Sequence, residues 1–280
     1  MREKRREATI ERIVDTALHL LETEGYEGLT IQRLAKELGY AVGALYRYFR
    51  SKDALLVALL HRVMDRIGED MQAGLAIVER QRTSHEPGSP RTPLSRDEGL
   101  LRLLVCALAY VELAKRRQSE FGLISTLIGD PREFLKTEAA APLVPMLIRL
   151  QLILASALED AVKAGALAPG DSRDRAVILW AGVQGVSQLR KLGRFGVAGV
   201  ELDRLVPIAL ETLLLGWGAE RDQLDRIVPE AQAIARSLAE AAPRPRPSRE
   251  PTLAVPALGY EGDSNHDADR VVGRDNDHDE

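Results

Sequence analysis

Residues 30–53 read TIQRLAKELGYAVGALYRYFRSKD, and this stretch decides the fold. Thr30 stands where an N-cap is needed, its hydroxyl oxygen placed to accept from the unpaired N–H groups of a first helical turn. Behind it Ile31, Leu34, Ala35 and Leu38 fall on one helical face, and Gly39 supplies the φ > 0 residue that stops the helix. After a tight turn, residues 41–49 make a second short helix anchored inward by Leu45 and Phe49. Short helix, glycine turn, short helix is the rhythm of a helix-turn-helix, whose second helix points its N-terminal side chains at base edges in the major groove. With the inward set removed, Gln32, Arg33, Lys36, Val42, Ala44, Tyr46, Arg47, Tyr48, Arg50 and Lys52 remain outside. Ala41, Gly43 and Ala44 are small enough for the backbone to approach the groove floor, and Tyr46, Tyr48 and Lys52 are long enough to reach phosphates on its walls. Between 30 and 52 five Lys or Arg stand against one Glu, so positive charge gathers where a duplex would lie.

Upstream, Ile10, Ile13, Val14, Ala17, Leu18 and Leu21 predict a helix over 7–24 ending near Gly25, preceded by a flexible basic arm of Arg2, Lys4, Arg5 and Arg6. Downstream, Ser51 caps a long helix running through Leu55, Leu59, Val63 and Ile67 to about Arg82, and the proline-rich SHEPGSPRTP at 84–93 is a loop. Helical patterns then follow over 95–117, 119–128, 131–139, 142–164, 172–192, 203–217 and 225–241, with no strand-like alternation. The last two share a start, Asp203-Arg-Leu-Val-Pro207 and Asp225-Arg-Ile-Val-Pro229, which reads as one capping device used twice: Asp caps, Pro sits in the first turn. From Pro243 to Glu280 the chain is poor in large apolar residues and holds five of the fourteen prolines, so this acidic tail is expected to be disordered. It carries five Arg against nine Asp or Glu, which accounts for the whole net charge of −4 and leaves residues 1–242 balanced. Bulk charge therefore excludes no partner.

Leu29-Thr30, Leu34-Ala35, Leu38-Gly39, Gly43-Ala44-Leu45-Tyr46-Arg47-Tyr48-Phe49 and Ser51-Lys52-Asp53-Ala54-Leu55-Leu56 together resemble the TetR family of bacterial transcriptional regulators. The resemblance implies an all-α homodimer. Residues 1–52 would be a three-helix DNA-binding domain, 53–242 a larger helical domain that binds small ligands and dimerises, and 243–280 the disordered tail. It also implies phosphate contacts by Thr30 and Lys52, contacts to phosphate or base by Tyr46 and Tyr48, and positions near base edges for Gln32, Val42 and Gly43. Arg33, Ala44 and Arg47 complete the candidate DNA surface. Ala41 and Val42 depart from the family pattern, which favours a capping hydroxyl and a polar reader there; the helix is then suited to thymine methyls and groove shape.

Ala181 and Gly185 on helix 172–192 and Leu205, Ala209, Leu213 and Trp217 on helix 203–217 suit a four-helix dimer interface built from two helices per subunit. The apolar helices between 95 and 164 suit a pocket for a small hydrophobic effector, with Cys106, Tyr110, Phe121, Met146, Trp180 and Gln184 as candidate lining. A constitutive architectural protein whose body only dimerises is the alternative. Enzyme, metal and cofactor readings find no support: the five His have no HxxxH or HExxH spacing, no GxSxG or phosphate-binding loop occurs, and Cys106 is the sole cysteine, in an apolar run. Arg102, Arg149 and Glu211 interrupt the most apolar stretches, so no membrane span is expected and the cytoplasm is the expected compartment.

Overall fold

In the computed structural model, Thr30 accepts from the Arg33 backbone N–H at 3.1 Å and opens α2 (Ile31–Leu38). Gly39 closes it at φ 68°. Its N–H donates to the Lys36 carbonyl at 3.2 Å and the Tyr40 N–H to the Ala35 carbonyl at 2.9 Å, the paired bonds of a Schellman stop. α3 (Val42–Leu45) is shorter than the expected 41–49. Ala41 offers no side-chain cap, and the Tyr48 and Phe49 N–H groups both return to the Leu45 carbonyl, so the chain turns there. It then meets Ser51, whose hydroxyl accepts from the Ala54 N–H at 3.1 Å and caps α4 (Lys52–Thr83).

The described residues are 1–83, 93–129, 135, 137–189, 192 and 201–241. The tail 243–280, most of the loop 84–93 and most of the predicted start of helix 131–139 lie outside them. α1 (Arg2–Gly28) is interrupted at Gly25, φ 73°, where the sequence reading ended it. Its beginning is a correction: Arg2, Lys4, Arg5 and Arg6 form the first helical turns rather than a flexible arm, their side chains all exposed. α5 (Arg96–Arg116) starts in a capping box in which Ser95 and Glu98 exchange bonds. α6 (Gln118–Gly129), the short α7 (Thr137–Ala140), a 3-10 turn (Ala141–Leu143), α8 (Val144–Lys163) and α9 (Ser172–Leu189) follow. α10 (Leu202–Gly216) and α11 (Arg221–Ala241) complete an all-helical chain, with no strand among the described residues.

α5 is the axle of the body: Leu100, Leu101 and every residue from Leu103 to Ala114 are buried, against α4 on one side and α8 and α11 on others. Gly99 permits the tightest of these crossings, since a Cβ there would stand 2.8 Å from the Ala164 Cβ. α6 packs on both α5 and α1 and so joins the body to the N-terminal helices. Behind it, Glu120 is 1% exposed and accepts 2.7 Å bonds from Arg66 of α4, with Arg117 3.3 Å away. α11 lies along α5 and α4. Leu224, Ile227, Ala231, Ile234 and Ala235 face inward, and each buried Leu or Ile is worth about 1.5–3 kcal/mol. The exposed Arg226–Asp97 and Arg96–Glu220 pairs at its start contribute about 1 kcal/mol or less each, so the apolar stripe holds the helix.

The shared capping device is also corrected. α10 begins at Leu202 and α11 at Arg221, because the inward stripe of α11 already includes Leu224 and the turn at Gly218 releases the chain just before it. Pro207 and Pro229 therefore sit inside helices, each removing the bond that the carbonyl of Asp203 or Asp225, four residues back, would have accepted. A further correction concerns apolar length: Glu138–Lys163 is long and apolar enough to cross a membrane, with a window of mean hydropathy 1.7 despite Arg149. Its outer side carries the exposed Val144, Ile148 and Leu152.

Candidate functional site

α2 and α3 present one continuous outer surface. Gln32, Lys36, Arg47 and Arg50 are exposed, Val42 is 37% and Tyr46 47% exposed, and a Cβ added at Gly43 would meet nothing within 4 Å. Ala44 is half-buried beside them. Tyr48 leans on the core, which leaves its ring partly covered. Lys52 places its ammonium over the Tyr26 ring, 4.5 Å from the centroid, a contact that holds the charge at the edge of the surface. Thr30 uses its oxygen as a cap and keeps its O–H as a donor. Arg33 is differently employed: Glu24 and Glu37 each hold its guanidinium at 2.7 Å, so its charge is committed within the protein. On the opposite side Ile31, Leu34, Ala35, Leu45 and Phe49 are buried, which fixes the orientation of the outer set.

In the body a cavity of about 200 Å³ lies between α4, α5, α8 and α9. Cys106, Tyr110 and Trp180 line it, together with Ile67 and Met71 of α4 and Gln151 and Leu154 of α8. Gln184 stands one bond away: the Tyr110 hydroxyl donates to its Oε1, and its Nε2 donates to Ser125 Oγ at 3.1 Å. Phe121 meets the Tyr110 ring at 5.8 Å between centroids, so it supports the wall, and Met146 packs on the core outside the lining. Burial pushes the Tyr110 phenol above its ordinary value and the Cys106 thiol up to about 12, so both are neutral hydrogen-bearing walls at neutral pH. Gln151 was missed by the sequence reading. Its Oε1 is buried without a hydrogen-bond partner, and the signal was its place among Leu147, Leu150 and Leu154 on the inward side of α8.

The outer faces of α9 and α10 form a third surface. Ile178 is 49% and Ile208 48% exposed, and Ala181, Gly185 and Leu189 are exposed beside Ile178 on α9. Leu205 and Ala209 border Ile208 on α10. Leu213 instead packs over Gly182 within the chain, and Trp217 lies under the Arg175 guanidinium, 5.3 Å from its ring centroid.

Residues 13–59 match the model described as bacterial regulatory proteins, tetR family, and residues 103–213 a tetracyclin repressor-like C-terminal domain; α11 lies beyond both. An uncharacterized HTH-type transcriptional regulator in the dhlA 5′ region of Xanthobacter autotrophicus is 31% identical over 150 residues, 49% of this chain and 67% of that protein. The HTH-type transcriptional repressor KstR of Rhodococcus jostii is 36% identical over 97 residues, but the match spans 35% of this chain and only 39% of KstR. Among solved structures, SmeT, the repressor of a Stenotrophomonas maltophilia multidrug efflux pump, has TM-score 0.52 at 22% identity, covering 76% of this chain and 91% of SmeT. FadR of Bacillus subtilis, solved with stearoyl-CoA, has TM-score 0.50 at 18% identity, covering 74% and 98%. These two likenesses concern the fold. The helix-turn-helix surface, the two matched segments and the two-thirds coverage of the Xanthobacter regulator converge: the chain belongs to the tetR family of bacterial regulatory proteins.

Proposed function

We propose that this regulator is a ligand-responsive repressor that binds a palindromic operator as a homodimer, through the outer faces of α9 and α10, in the cytoplasm. The observation that carries the reading is α4, which runs without a break from Lys52 at the DNA surface to Ile67 and Met71 in the cavity wall. Ligand sites usually measure about 300–1,000 Å³. A cavity of about 200 Å³ must widen to admit an effector, and α4 is one of its walls. Displacement of α4 changes the separation of two recognition helices whose spacing the duplex fixes, and operator affinity falls. The effector is a compact apolar molecule with one hydrogen-bond donor for Gln151 Oε1. Stearoyl-CoA bound to FadR makes an apolar effector a consistent expectation here. The cavity favours this reading over a constitutive architectural protein, whose body needs only to dimerise.

Selection of duplexes from a random pool tests the DNA half, with two half-sites about one helical turn apart expected; an unrepeated site overturns it. Apolar alcohols and amides that raise the melting temperature and release the selected duplex in parallel are expected for the ligand half. Stabilisation without release overturns responsiveness.

A further inference from the structure

A larger cavity, about 470 Å³, lies on the other side of α5, walled by α5, α10 and α11. α5 gives it Leu104, Leu108, Val111, Glu112 and Lys115, whereas Cys106, Ala107 and Tyr110 turn to the effector cavity, so the two spaces share a helix and no side chain of it. The repeated motif that failed as a capping device reappears here. α10 contributes Asp203, Val206 and Pro207, and α11 contributes the equivalent Asp225, Val228 and Pro229. Each helix thus gives the cavity wall an aspartate and, four residues on, a proline. The charged side chains lining the space are Glu112, Asp203, Glu211 and Asp225 with Lys115 and Arg236, and of the four acids Asp225 alone has no ion-pair partner among the described residues. Glu112 and Glu211 are held by Arg116 and Arg221, outside the cavity. One end of the repeat already holds an ammonium, since Lys115 Nζ sits 2.6 Å from Asp203 Oδ1. Among the described residues no cation reaches Asp225, the matching position.

We infer that this cavity, between α5 and the helix beyond the matched family segment, is a second ligand site that takes a lipophilic organic cation. Its apolar body lies against Leu104, Leu108, Val206 and Leu210, and its positive end is held by Asp225. The site is independent of the effector cavity and of the DNA-binding reading.

Tetraphenylphosphonium and tetraphenylborate have nearly the same size and shape and opposite charge, and calorimetric titration of each into the full chain without DNA tests the site. The phosphonium is expected to bind one per chain and at least roughly tenfold more tightly than the borate. Asp225→Asn, at an exposed position, is expected to weaken the phosphonium about tenfold at unchanged melting temperature. Val228→Phe, which fills the cavity, is expected to abolish binding. Should Val228→Phe fail to fold, Asp225→Asn decides alone. Equal affinity for both ions, or full affinity in Asp225→Asn, overturns the site. A loss produced by Gln151→Leu and not by Asp225→Asn also overturns it, by placing the cation on the other side of α5. Because no duplex is present, failure of the repressor reading leaves this outcome unaffected.

Discussion

The proposed DNA surface on α2 and α3 and the proposed effector cavity beside α5 place recognition on opposite sides of their helices. In α2 and α3 the buried residues Ile31, Leu34 and Leu45 do the folding, and Gln32, Val42 and Tyr46, turned outward, have little to do with it. In α5 the same residues do both: Cys106 and Tyr110 are 0% and 5% exposed and are also cavity wall. A protein that meets a rigid external partner separates stability from recognition, whereas one that swallows a ligand builds the site out of its own core. Substitutions on the outer surface should therefore change binding without changing stability, and substitutions in the body should change both.

The largest effect is expected where the two roles meet in the N-terminal region. Leu45→Ala removes the inward anchor of α3, 1% exposed, and should cost about 2–5 kcal/mol of stability in denaturant titration along with operator binding. Retention of both would mean that α3 is held by something other than its core contact. Next comes Ile208→Arg, which puts a charge on the proposed seam; sedimentation should show monomers, and operator binding should weaken in proportion. An intact dimer would move the interface off α10. Tyr46→Ala and Lys52→Ala should each lower affinity for operator and for random duplex together, about tenfold, at unchanged melting temperature, because phosphate contacts carry no sequence information. A drop in stability for Tyr46→Ala would erase the contrast between the regions. Removal of residues 2–6 should reduce the log–log salt slope of operator binding by up to about 0.9 per lost phosphate contact. Parallel salt lines would leave these four charges as a solvated helix end. The smallest response should come from Cys106: with its thiol pushed up to about 12 by burial, iodoacetamide at pH 8 should label it only after unfolding.

How much of this could be read beforehand follows the same division. Residues 30–52 announce themselves because the motif is local: Thr30 caps, Gly39 turns and Leu45 anchors within one short stretch, and the structure places each in that role. The body's helices were also legible from periodicity, but their pairing was not. Glu120 and Arg66 are 54 residues apart and their burial together depends on how α4 and α6 cross. Pro207 and Pro229 were misplaced because a proline a few residues after an aspartate fits both a first turn and an interrupted interior, and only the inward stripe beginning at Leu224 separates the two. The ion pairs of Arg33 were not legible, because Glu24, nine residues earlier and across a turn, gives no sign in the sequence of reaching it.

α4 has 32 residues, about 48 Å at 1.5 Å per residue. Near its C-terminal end, Gln81 bonds Glu230, Arg82 pairs with Glu98 and Glu79 pairs with Arg102, so that end is tied to α5 and α11. Ile67 lies about 24 Å from Thr83 and Lys52 about 46 Å. A rod pinned at one end and pushed at its middle has a mechanical advantage below one: it gives up force and gains travel. A sideways push of about 1 Å at the cavity becomes about 2 Å at Lys52. In the proposed response, an effector wedged beside Ile67 would need only a small expansion of its pocket to move Lys52 by more than half a hydrogen bond's length.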